Sequence, residues 1–121
     1  SAAEFRGLWV DSWSPSLFTA TQISQLVSDA RTGHFNALVV EVRRRGDAFY
    51  NSNYEPKNAG VAVDFDPLAD LVAKAHNPND GPRLEVHCWI VTYPIWTVAD
   101  FPPPQTNHPL NLHPELLLGK K

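Results

Sequence analysis

Ala37-Leu38-Val39-Val40-Glu41-Val42-Arg43 is the stretch that decides the fold. It is dense in valine, free of glycine and proline, and too short for a surface helix, so it reads as a strand. On its N-terminal side, Thr19 stands three residues before Gln22, a capping-box spacing, and Ile23, Leu26, Val27 and Ala30 recur at helical intervals before Gly33. This predicts an amphipathic helix over about residues 20–32 with a glycine stop. Further back, Phe5 to Trp13 (FRGLWVDSW) alternates and predicts a strand over about residues 5–13. On the C-terminal side, Asp66-Pro67 supplies an N-cap followed by proline at the first helical position, and Leu68, Leu71, Val72 and Ala75 form an apolar stripe. A helix over about residues 67–76 follows, ended by the breaker run His76 to Pro82. Leu84 to Val91 (LEVHCWIV) is the third strand. Strands alternating with helices at these intervals require right-handed crossovers, so the class is α/β with a parallel βαβαβ unit.

The chain has 121 residues, 43% hydrophobic and 19% charged, with a formal charge of −3. Such a composition is globular, and its mild acidity argues against general nucleic-acid binding. No apolar run approaches the roughly 20 residues of a membrane helix, and no uncleaved signal peptide opens the chain. Ser1-Ala2-Ala3 is small-residue sequence of the kind signal cleavage leaves, though a tag scar looks the same; a secreted or periplasmic location is one of these two readings. The single cysteine, Cys88, excludes an internal disulfide. Residues 1–93 hold the strands and helices. Residues 94–121 form a proline-rich segment, with Pro102-Pro103-Pro104 at its centre and the start of a next element near Glu115.

Strand parity carries the functional signal. Leu8 and Val10, then Leu38, Val40 and Val42, then Val86, Cys88 and Ile90 form apolar sets that would pack on helices. The opposite parity holds Trp9, Asp11 and Trp13, then Val39, Glu41 and Arg43, then Glu85, His87 and Trp89. Asp11, Trp13, Glu41, Arg43, His87 and Trp89 would converge beyond the carboxyl ends of the strands, where parallel α/β folds bind ligands. Tryptophan faces match the apolar faces of sugar rings, and Asp, Glu, Arg and His supply the directional hydrogen bonds that hydroxyls need. No glycine-rich phosphate loop occurs, His87 lacks a partner at metal-ligand spacing, and His108 and His113 lie in the irregular tail, so neither metal nor cofactor is expected. Cys88, on the apolar parity, is expected to be a buried structural thiol. In Arg43-Arg44-Arg45-Gly46-Asp47, continued alternation would send Arg43 and Arg45 inward and Arg44 outward, with Asp47, Glu41 or Asp11 as ion-pair partners. The loop from Arg44 to Phe65 is longer than a plain connection needs, which marks it as functional.

Phe5-Arg6-Gly7-Leu8-Trp9-Val10-Asp11, Phe35 to Arg43, Arg45-Gly46-Asp47-Ala48-Phe49-Tyr50 with Ser52, Phe65-Asp66-Pro67-Leu68 and Glu85-Val86-His87-Cys88-Trp89 resemble, in this order, the glycosyl hydrolase-like 10 family. His113-Pro114-Glu115-Leu116 is similar to that family's His-Pro-Glu-Trp segment. The resemblance implies a (β/α)8 TIM barrel of bacterial envelope or secreted proteins, of which this chain holds the first three strands and is therefore incomplete. It also implies a signal or lipoprotein anchor not present here, and activity on glycosidic bonds of peptidoglycan glycan or a related amino-sugar polymer. Carried over by position, Asp11, Glu41 and Asp47 are the candidate catalytic carboxylates. Trp13, Arg43, Arg45, Tyr50, His87, Trp89 and Tyr93 are the candidate glycan contacts. Two departures stand out: many relatives carry Gln where Glu41 stands, and His76 to Arg83 reads as an insertion relative to the family's short turn.

Two other readings stand beside the hydrolase. One is a carbohydrate-binding module on the same surface without catalysis. The other is an interaction domain whose proline-rich tail recruits a partner. An unclosed barrel would also expose its sheet edges and inner face, which favours self-association.

Overall fold

The computed structural model describes residues 4–92 and 105–116. Three parallel strands, β1 (Gly7–Val10), β2 (Ala37–Arg43) and β3 (Glu85–Ile90), lie side by side in the order β1-β2-β3. Helices α1 (Ala20–Thr32) and α2 (Pro67–Ala75) make the two crossovers. The architecture is an α/β βαβαβ unit, consistent with part of a (β/α)8 barrel. A short helix α3 (Pro109–Leu112) and a 3-10 turn at Pro114–Leu116 follow the third strand.

The helices start and stop for local reasons. Thr19 Oγ1 accepts from Gln22 N at 3.2 Å, and Gln22 Oε1 accepts from Phe18 N at 3.0 Å, so the capping box closes one residue earlier than its simplest form. At the other end Gly33 has φ −79°, and the left-handed residue is His34, at φ 61°. Phe35 N donates to Ala30 O and His34 N to Arg31 O, both at 3.0 Å, which is a Schellman ending. The expected glycine stop is thus displaced by one position. Asp66 caps α2 through Ala69 N at 3.0 Å and holds Asn51 N with its other oxygen at 3.1 Å. The last carbonyls of α2 are met from α1: Arg31 donates to Lys74 O, Ala75 O and, beyond the helix, Pro82 O at 3.1–3.3 Å.

Register decides which residues share a row. Leu8, Leu38 and Val86 align, then Trp9, Val39 and His87, then Val10, Val40 and Cys88, with Glu41 opposite Trp89. The even set of β1 and β2 packs on the helices as its parity predicts: Val10, Leu38, Val40 and Val42 are buried with Ile23, Val27 and Ala30 of α1 and Leu71 and Ala75 of α2. On β3 the expectation fails. Cys88 is exposed and Ile90 is 55% exposed, whereas Leu84 and Val86 at the start of the strand lie in or against the core. Cys88 is therefore not the buried structural thiol its parity suggested. Partial burial still holds its pKa above the ordinary thiol value.

Candidate functional site

β1 ends sooner than its alternation suggests. Asp11 Oδ1 accepts from Trp13 N at 2.8 Å and Ser14 N at 2.9 Å, drawing the chain into a turn. The Ser14 amide, and less strongly the Trp13 amide, hold the Asp11 carboxyl below its usual range. Trp13 consequently leaves the inner strand row. It lies instead with its ring centroid 4.4 Å from the Arg44 guanidinium carbon and 5.0 Å from that of Arg45, in cation–π contact with both.

Glu41, opposite Trp89, is 1% exposed. One of its oxygens, Oε1, accepts from Ser12 N at 2.8 Å and from Ser12 Oγ at 2.5 Å. Ser12 O in turn accepts from Arg44 Nη1 at 3.1 Å. The chain of contacts continues from Arg44 Nε to Asp47 Oδ2 at 3.7 Å and from Asn58 Nδ2 to the same oxygen at 2.5 Å. Asp47, also 1% exposed, takes Arg45 N on Oδ1 at 2.9 Å. Glu41, Ser12, Arg44, Asp47 and Asn58 thus form one buried polar line in which a cation sits between two carboxylates. Such a line is strongly destabilised by removing one member, since the others stay buried without a partner.

Arg44, which continued alternation would send outward, is buried, with its guanidinium carbon 6.0 and 5.5 Å from the ring centroids of Phe18 and Phe49 of the helix-side core. β2 carries an irregularity between Glu41 and Arg43 where two residues oppose one step of β3. Alternation stops there, and Gly46, at φ 78°, turns the chain back so that Ala48 bridges Arg43. Burial lowers the Arg44 pKa from its high ordinary value, with Asp47 opposing the change. Arg43 does not meet Asp11, Glu41 or Asp47. It forms a close ion pair with Glu55, and its Nη1 donates to Val91 O at 2.6 Å. Tyr50 OH donates to the second oxygen of Glu55 at 3.0 Å, and burial, then this bond, push its pKa up. Two candidate glycan contacts are therefore bound to a carboxylate that sequence reasoning missed. The long loop is held on the same principle: Lys57 Nζ donates to Ala62 O, Val63 O and Phe65 O, at 2.5 to 3.4 Å.

Aromatic side chains carry the inner face. Trp9 and Trp89 stack with centroids 5.1 Å apart and planes 28° from parallel. Phe5 meets the His87 ring edge-on at 5.6 Å. Trp9 is 65% exposed, while Trp89 is half-buried with its indole N–H lacking an acceptor among the described residues. Inner parity already pointed to Trp9; nothing local pointed to Glu55, Ser12 or His108. Tyr93 lies outside the described residues. Among those that are described, no group of three His, Cys, Asp or Glu is disposed to hold a metal ion. Depressions of about 340 to 510 Å³ flank α1 and α2, and the one along α2 is lined in part by Tyr50.

A comparison with curated proteins gives this geometry a context. The chain is similar to the protein described as glycosyl hydrolase YngK of Bacillus subtilis (strain 168), 31% identical over 98 residues that cover 75% of this chain. The relationship is glycosyl hydrolase-like. The matched segment spans 18% of that protein's own length. No model of a known protein family matches the chain, so the narrower family assignment rests on the motif resemblance alone.

Proposed function

We propose that the chain is the N-terminal part of a glycoside hydrolase that cleaves glycosidic bonds of a bacterial amino-sugar polymer, peptidoglycan glycan or an exopolysaccharide. The observation that supports this reading is the stacked Trp9–Trp89 pair, with Trp9 exposed, Trp89 opposite Glu41 in the sheet and Asp11 just beyond the end of β1. Indole faces bind the apolar faces of pyranose rings, and carboxyl groups beside them supply the acid and the nucleophile or base of glycoside cleavage. Of the three candidate carboxylates, Asp11 is the accessible one, and its amide bonds keep it ionised, a state suited to a nucleophile, base or hydroxyl acceptor. The envelope or secreted setting follows from the nature of such a substrate. No helix of the described residues is long and apolar enough to cross a membrane.

Hydrolysis is tested by reducing-end release from peptidoglycan glycan and from N-acetylglucosamine polymers, comparing this chain with a polypeptide extended through further barrel strands. The extended form cleaves and this chain alone does not. Activity in neither form sinks the enzymatic reading. One observation favours a second reading, glycan binding without catalysis: Glu41 and Asp47 are sealed and bonded to Ser12, Arg45 and Asn58, as structural carboxylates are. Quenching of tryptophan fluorescence by the same glycans, with no reducing ends released by the extended form, would favour that binding role.

A further inference from the structure

Residues 105–116 close on themselves against the loop that follows β2. Asn111 Nδ2 donates to Gln105 O at 2.8 Å, Pro109 opens α3, and Leu110 is 6% exposed. At its centre His108 is completely buried. Its Nδ1 accepts from Leu110 N at 3.2 Å, capping α3, so the proton sits on Nε2, which lies 2.7 Å from Arg45 O. Sixty-three residues separate the two partners of this bond.

The bond falls on a sensitive turn. Arg45 N is held by Asp47 Oδ1 and Arg45 O by His108, and Gly46 follows in the left-handed region. Both backbone polar groups of Arg45 are thus fixed by side chains, which sets where its guanidinium leaves the backbone, and that guanidinium lies 5.0 Å from the Trp13 ring centroid. We propose that His108 is a positioning residue of the glycan surface, its bond to Arg45 O orienting the Arg45–Trp13 pair. The inference rests on the glycan reading for its functional consequence, not for its structural part.

The two bonds of His108 can be separated by substitution in the full chain. His108→Asn keeps an oxygen that caps Leu110 N but is too short to reach Arg45 O. His108→Gln places an amide N–H where Nε2 stands. Two measurements are made on each variant: the NMR resonance of the Trp13 indole N–H, assigned by its loss in Trp13→Phe, and affinity for N-acetylglucosamine tetrasaccharide. His108→Asn is expected to shift the resonance and weaken affinity about tenfold, the scale of one lost buried hydrogen bond. His108→Gln is expected to match the parent in both. Leu110→Ala, which loosens α3 without touching the bond, is expected to lower thermal stability and leave the resonance in place. An unmoved Trp13 resonance in His108→Asn overturns the proposal. Failure of the parent chain to bind the tetrasaccharide sinks the glycan reading instead, while the resonance comparison still decides the His108 link.

Discussion

On the outer face of the sheet, Val10, Leu38, Val40 and Val42 are almost inaccessible beneath α1 and α2, whereas on the inner face Trp9, a neighbour of Val10 in the chain, is 65% exposed. The same three strands serve both faces, and the period of two along each strand makes the separation. Buried apolar packing is therefore concentrated on one side and accessible aromatic surface on the other. The polar line from Glu41 to Asn58 lies where the two regimes meet: its residues are as buried as the core, yet it ends among the candidate site residues.

The widest gap between the faces should appear in truncation. Leu71→Ala, at a fully buried position under the sheet, is expected to cost about 2–5 kcal/mol in urea unfolding. Trp9→Ala should cost about 1 kcal/mol or less, since its ring remains largely in water and mainly its stacking on Trp89 is lost. Equal losses would abolish the distinction. Next, Glu41→Ala leaves Ser12 N and Oγ without an acceptor and should destabilise by about 1–3 kcal/mol, with Glu41→Gln milder because an amide oxygen still accepts. Equal losses in Gln and Ala would show that the buried line depends on the charge of Glu41 and not on the hydrogen bonds it accepts.

A smaller effect concerns the short turn after β1 and the ending of α1. The folded Asp11 carboxyl titrates below its unfolded value, so its stabilisation is present above about pH 4 and fades as pH falls through the folded pKa. Asp11→Asn, whose amide oxygen still accepts from the turn, should flatten the acid limb of the urea midpoint between about pH 5 and pH 2 and change little near neutrality. An unchanged acid limb would remove Asp11 from the list of carboxylates made special by the fold. Last, His34→Gly relieves a left-handed non-glycine residue and should raise stability by about 0.5–1 kcal/mol in thermal melts, net of the extra freedom of the unfolded chain.

Particular residues show where sequence reading holds and where it stops. Thr19, Gln22, Asp66 and Pro67 marked their helices because capping is settled within four residues. The outer-face valines were legible because alternation is a property of the strand backbone. The partner of Arg43 was missed because alternation ends at the irregularity in β2 and at Gly46, neither of which a period-two pattern contains, and Glu55 reaches it from the loop beyond. Cys88 was misread because parity assigns a side to a residue but does not place a helix over it. Trp13 was misplaced because the Asp11 carboxyl captures two amides and ends the strand early.

By itself, then, the sequence determined the order of elements, their caps, the parallel α/β class and the division of β1 and β2 into an apolar side and a polar or aromatic one. All of these follow from interactions between residues close along the chain. Only the tertiary structure decided which charges meet: Arg43 with Glu55 across 12 residues, Ser12 with Glu41 across 29, and His108 with Arg45 across 63. Burial forces each of these groups to find a partner, and which partner stands within reach depends on how distant turns are brought together over the strand ends.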